Sequence, residues 1–341
     1  MADRTMTDSA ITAVPGLAPA APVLDPDAAR LLVLSRKAGY PPFERLTPVA
    51  ARAAYAASWE PMQSPGGAVA SVSDRAIAGP SGALTLRIYR GLGTDPHAAL
   101  PCMVFLHGGG WVIGGLDSHD RMCRRLATVA SICVVAVDYR LAPEYPFPAA
   151  LDDAVAAWRW VHGHAAELGV DPAAIGIGGD SAGGNLAAVL ALMGRDGELP
   201  ASRYQALIYP ALDLTADTDS YRSVTSDLPL TAATMHYFIG HYTPHAADRL
   251  DWRASPLRAA SLAGAPPALV LSVAHDPLCD EAREYARRLD QDGVRVLALH
   301  CNDQMHGLLG MGRLVPAADL IADQVYAVIG FELHRRLGDG R

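Results

Sequence analysis

The sequence predicts an α/β fold with a mostly parallel central sheet, flanked by helices and carrying a helical cap; three observations lead there. From about residue 82 the short apolar runs LTLRIY, CMVFL, ICVVAV, IGIG, QALIYP, ALVLSV and VRVLAL recur, several rich in Val and Ile, as strands buried on both faces do. Helical periods lie between many of them. Leu186, Val189, Leu190 and Met193 repeat at i, i+3, i+4, i+7, as do Ala282, Tyr285, Ala286 and Leu289, so each run has one face to press against a sheet. Strands alternating with helices imply a mostly parallel sheet covered on both sides.

Two segments break the rhythm. Residues 24–66, with DPDAARLLVL and TPVAARAAYAASW, read as two helices forming the N-terminal part of a cap, and residues 213–256 read as its second part. That leaves 67–212 and 257–341 as the α/β domain, with the Pro/Gly stretch Pro61 to Gly67 as the linker candidate. Residues 1–23 hold Asp3 and Asp8 and no sustained apolar stretch, so they read as a loose tail and not as a signal peptide. No run approaches the roughly 18 apolar residues that span a bilayer, and the expectation is a protein with no membrane partner.

The chain has 341 residues, 50% of them hydrophobic, enough to bury a large core. Its net charge of −8 comes without long acidic or basic runs, which argues against nucleic acid as a partner. Cys102, Cys123, Cys133, Cys279 and Cys301 form an odd set with no C-x-x-C spacing, pointing away from a disulfide framework or a zinc site and toward reduced thiols in a cytoplasm.

The chemistry starts at GIGGDSAGG. A short strand precedes it and the Leu186 helix follows, the setting in which G-x-S-x-G (Gly179, Asp180, Ser181, Ala182, Gly183) makes a nucleophile elbow. By itself the motif also fits a phosphate loop or an N-cap serine. A serine hydroxyl needs a base, and the oxyanion it creates needs donors already in place. Upstream, FLHGGGWVIGG runs from a strand into His107, Gly108, Gly109 and Gly110, an HGGG-type oxyanion loop in which His107 reads as an anchor.

With such an elbow the acid and then the base follow the serine in the chain. His306, in NDQMHGLLG beyond the last strand, is preferred as base over His300, which ends the VRVLAL run, because catalytic residues sit on loops held by a scaffold. Asp276 closes the ALVLSVAH strand before Pro277 and is preferred as acid; Asp280, which reads as a helix cap, and then Glu281 are the alternatives.

These pieces resemble the hormone-sensitive-lipase-like esterases, bacterial family IV, in the branch with a GDSAG elbow. The match rests on HGGGW (107–111), YRLAPEYPFPAALDD (139–153), LGVDPAAIGIGGDSAGGNLAA (168–188), RASPLR (253–258), DPLCDE (276–281) and HG (306–307), in order along most of the chain. The resemblance implies an α/β-hydrolase with a helical cap, a Ser181–Asp276–His306 triad, and oxyanion donors on Gly108, Gly109 and Ala182. It implies an acyl-enzyme on Ser181, short to medium acyl esters and water as reactants, and no cofactor or metal.

The sequence departs from the family pattern at Cys279, where an arginine is common, and at Leu308, where an aromatic often follows HG. Candidate pocket residues are Trp111, Asp180, Tyr209, Phe238, Tyr242 and Leu308. A second copy of the chain, as a homodimer, is the protein partner considered. An amidase or carbamate hydrolase would use the same triad. The gibberellin receptors resemble the same family but lack the catalytic histidine, which His306 supplies here. A Ser-Lys acyl-enzyme needs S-x-x-K, and Lys37, the only lysine, does not complete one.

Overall fold

The computed structural model describes residues 22–335, so all but the last two residues of the expected tail lie outside it. Eight strands form one sheet: β1 (Ser71–Gly79), β2 (Gly82–Arg90), β3 (Leu100–Leu106), β4 (Cys133–Val137), β5 (Val170–Asp180), β6 (Gln205–Ile208), β7 (Ala268–His275) and β8 (Val296–Met305). Their order is β1-β2-β4-β3-β5-β6-β7-β8. β2 runs antiparallel to both its neighbours, and every other neighbouring pair is parallel.

The α-helices among the described residues are α1 (Pro26–Ala38), α2 (Pro48–Trp59), α3 (Leu116–Val129), α4 (Ala149–Gly163), α5 (Ala182–Arg195), α6 (Asp219–Ser223), α7 (Ala232–Tyr242), α8 (Cys279–Gln291) and α9 (Pro316–His334). The sheet separates two apolar clusters. On β3, Cys102, Val104 and Leu106 join the side covered by α4, α5 and α8, while Met103 and Phe105 join the side covered by α3 and α9. Both faces of this strand are therefore dry, which is why it reads as an unbroken apolar run. Each such side chain contributes roughly 1.5–3 kcal/mol on burial.

β1 is the strand the sequence reading lacks. Of SVSDRAIAG only Ile77 is buried, so the strand is held by its hairpin ladder with β2 and leaves no apolar signature. β8 is also longer than its apolar half suggests. It continues through the polar residues His300 to Gln304 and ends at Met305, so His300 lies within the strand and His306 directly follows it.

α1 and α2, and further along the chain α6 and α7, come from the two segments that lie outside the sheet. They meet where the single turn Phe43–Arg45 packs on α7, the Phe43 and Phe238 ring centroids being 6.1 Å apart. Among the described residues no helix is long and apolar enough to cross a membrane.

Candidate active site

Ser181 is the one residue between β5 and α5, and it carries φ 54° and ψ −117°. L-residues avoid that region, at a cost of order 1–3 kcal/mol. The surroundings impose it. The Ser181 N–H donates to the Ile208 carbonyl at 2.9 Å, and the Ser181 carbonyl accepts from Asn185 and Ala211 at 3.1 and 3.2 Å. α5 approaches β3 so closely that a Cβ on Gly183 would stand 1.8 Å from the Leu106 oxygen. Glycine at that position is a steric requirement of the elbow.

The Ser181 hydroxyl lies 2.9 Å from His306 Nε2, and His306 Nδ1 lies 2.7 Å from Asp276 Oδ2. A carboxylate only accepts, so Nδ1 carries the proton and the Nε2 lone pair faces the serine. Asp276 is fully buried, and its Oδ1 accepts the Leu278 N–H at 2.9 Å, which fixes the carboxylate plane. His300, in contrast, pairs with the Ser272 hydroxyl on β7 at 2.8 Å. Asp280 does not cap α8 as its position suggests: its Oδ2 accepts the Ser220 N–H, tying α6 to α8.

The glycine loop corrects one sequence expectation. Gly108 cannot serve as an oxyanion donor, because its N–H donates to Asp180 Oδ1 at 2.8 Å. Among the described residues the amides of Gly109, Gly110 and Ala182 have no acceptor, and Gly109 and Gly110 line a cavity with Ser181. The Gly109 carbonyl accepts from Val112 and Ile113, which closes the turn behind it.

Asp180 is thus an anchor of this loop. It also stands 3.2 Å from His119 Nε2, and Ser118 holds the other His119 nitrogen. Burial alone would raise the Asp180 carboxyl, but the charge interaction and hydrogen bond with His119 outweigh it and hold it below the usual carboxylate range. His107 stacks on Tyr139 at 4.1 Å, with its Nδ1 on the Gly108 oxygen, and burial pushes its pKa down to about 3. It is a neutral anchor. His119 is missed from the sequence, where it is one polar residue on the buried face of α3.

The cavity over Ser181 has a volume of about 520 Å³ and is lined on the far side by α1, α7 and the turns around Phe43 and Leu228. Phe238 lines it and lies so close to the glycine loop that a Cβ on Gly110 would stand 2.2 Å from its ring. Asp180 reaches its edge. The other expected pocket residues do not line it. Trp111 and Tyr242 stack face to face at 4.4 Å, both fully buried, so their aromatic area is used in packing. Tyr209 packs on the ring of His306 at 4.7 Å, and Leu308 is buried in the turn after His306.

α2 touches both the glycine loop and the turn after His306. Arg52 Nε donates to the Val112 carbonyl at 2.8 Å, and its other nitrogens hold the Glu144 carboxylate. Trp59 lies against the backbone of Gly307 and Gly310, where added Cβ atoms would meet its ring. No short motif marks either residue.

Residues 103–310 match a family model described as the alpha/beta hydrolase fold. The chain is 42% identical over 237 residues to an ethyl acetate hydrolase of Pseudomonas putida, covering 69% of this chain and 74% of the relative. It is 42% identical over 272 residues to the carboxylic ester hydrolase LipN of Mycobacterium tuberculosis, covering 78% and 71%. Among solved structures, a thermostable esterase from Pseudomonas putida superposes with a TM-score of 0.88 at 34% identity over 93% of this chain and 100% of that one. An ester hydrolase from the metagenome of Lake Arreo, solved with a bipyridine phosphonate derivative, superposes with a TM-score of 0.88 at 37% identity over 92% and 100%.

Proposed function

From the premise that the chain belongs to the alpha/beta hydrolase family and is a carboxylesterase like its relatives, we propose that it cleaves short- and medium-chain esters through an acyl-enzyme on Ser181. The observation that carries this reading is the unbroken hydrogen-bond line from Asp276 through His306 to Ser181, the last two of which line the cavity. Ser181 Oγ attacks the ester carbonyl as His306 Nε2 takes its proton, and the imidazolium forms against Asp276. The amides of Gly109, Gly110 and Ala182 hold the oxyanion, Ala182 adding the positive end of α5. His306 then gives the proton to the leaving alcohol, and a water repeats the sequence on the acyl-enzyme. The five free thiols support a reducing compartment, the cytoplasm, as the place where this happens.

Gly110→Ala tests the donor assignment. The new Cβ meets Phe238 and forces the loop to move, so kcat is expected to fall about 10²–10³-fold, the usual effect of losing one oxyanion donor. Adding Phe238→Ala opens the space and is expected to return part of that loss. A folded Gly110→Ala enzyme within threefold of wild-type kcat would remove Gly110 from the mechanism.

Segments 24–66 and 213–256 act as the cap, and the finite cavity beneath them sets acyl length. Each buried CH₂ contributes roughly 0.8 kcal/mol until the wall is reached, and further carbons stay wet or strain the wall. A p-nitrophenyl ester series is expected to peak in kcat/KM between about C2 and C8 and fall well before C16, with no rate jump at the solubility limit. Phe238→Ala is expected to move the optimum to longer chains, whereas Tyr242→Ala, which opens the core against Trp111, lowers Tm instead. An optimum at C16 would overturn the short-ester reading.

A further inference from the structure

The carboxylate, guanidinium and imidazole side chains lining the cavity are Arg36, Glu44, Asp180, Asp227 and His306, and all but Glu44 have a charged or catalytic partner. Arg36 pairs with Asp227 at 3.0 Å across the mouth. Asp180 is held by Gly108 and His119, and His306 by Ser181 and Asp276. Glu44 is different. Its Oε2 accepts the Thr234 hydroxyl at 2.9 Å, and none of the ion pairs among the described residues includes it.

Its place is well defined by packing. Glu44 is the middle residue of the turn Phe43–Arg45 and is half-buried against α7. Thr234 and Phe238 are four residues apart on that helix, about 5–6 Å along the same face, and Phe238 covers Gly110. The carboxylate therefore stands one helical turn further out than the ring over the oxyanion loop. The same lining carries the apolar and aromatic side chains Tyr40, Pro42, Phe43 and Leu230 beside the polar Thr231 and Thr234, so a charge interaction made there is stronger than in open water.

We propose that Glu44 makes this cavity select esters by charge, favouring an ester that carries an ammonium group on the part reaching the outer wall over an isosteric neutral ester, and disfavouring one that carries a carboxylate there. The inference rests on the ester-hydrolase reading. The half-buried anion attracts the cation with less screening than in open water, and the rings of Tyr40 and Phe43 add a face on which a quaternary ammonium can rest. A carboxylate at the same point meets like charge and loses its hydration.

The test compares isosteres, so that any general loss of activity cancels. Acetylcholine is set against dimethylbutyl acetate, in which carbon replaces the quaternary nitrogen, to probe the alcohol side. p-Nitrophenyl trimethylammoniobutanoate is set against p-nitrophenyl dimethylhexanoate to probe the acyl side, with p-nitrophenyl hydrogen glutarate as the anionic member. In wild type the cation-to-neutral ratio of kcat/KM is expected to exceed one in at least one pair. It is expected to fall about tenfold in Glu44→Gln, which keeps an acceptor for Thr234, and to drop below one in Glu44→Lys; tenfold corresponds to about 1.4 kcal/mol. The glutarate ratio moves the opposite way, and added salt shrinks both effects. Ratios that are the same in wild type and both variants, with the neutral esters turned over, overturn this inference alone. No turnover of the neutral esters, together with no fluorophosphonate label on Ser181, overturns the hydrolase reading and this inference with it.

Discussion

Ser181→Ala is expected to lower kcat on p-nitrophenyl butyrate by at least about 10⁴-fold while leaving the protein folded. The variant removes the only atom that forms the acyl bond. Its cost to stability is small, because the hydroxyl makes a single hydrogen bond, to His306 Nε2, and such a bond contributes about 1 kcal/mol net. Alanine also keeps the Cβ that the elbow already accommodates at φ 54°. A fluorophosphonate should label the wild-type enzyme at Ser181 alone and leave the variant unlabelled, with circular dichroism and Tm confirming that both are folded. A folded variant that keeps near wild-type turnover would refute the acyl-enzyme.

The second large effect separates the reacting pair from its look-alikes. His306→Ala and Asp276→Asn are each expected to cost about 10⁴-fold in kcat, whereas His300→Ala and Asp280→Asn stay within a few fold. For Asp276→Asn the structure says why. The Leu278 N–H needs an acceptor at Oδ1, so the new amide must turn its NH₂ toward His306 Nδ1. The imidazole then accepts at Nδ1 and presents N–H at Nε2, the wrong tautomer to take a proton from Ser181. His300 only pairs with Ser272 on the neighbouring strand, and Asp280 only ties Ser220 to α8, so their loss is read in Tm. Comparing kcat across the four folded variants checks the assignment, and a larger kcat loss at His300 or Asp280 would reverse it.

The sequence by itself determined what local physics determines. Strands dry on both faces must be apolar along their whole length, so β3 and β4 are plain in the sequence, whereas β1, with one buried residue, is not. Gly179, Ser181 and Gly183 announce the elbow because only glycine tolerates the approach of α5 to β3. Only the tertiary structure decided contacts between distant segments. The Ser181–His306 contact spans 125 residues, and whether His306 or His300 reaches the serine depends on where β8 ends, which its polar second half conceals. HGGG marks the glycine loop, but the orientation of each amide is set by a partner: Asp180 takes the Gly108 N–H and leaves Gly109 and Gly110 facing the cavity. The same holds for the aromatics. Phe238 faces the cavity and Tyr242, one turn further along α7, stacks on Trp111, a difference made by what α7 packs against and not by residue type.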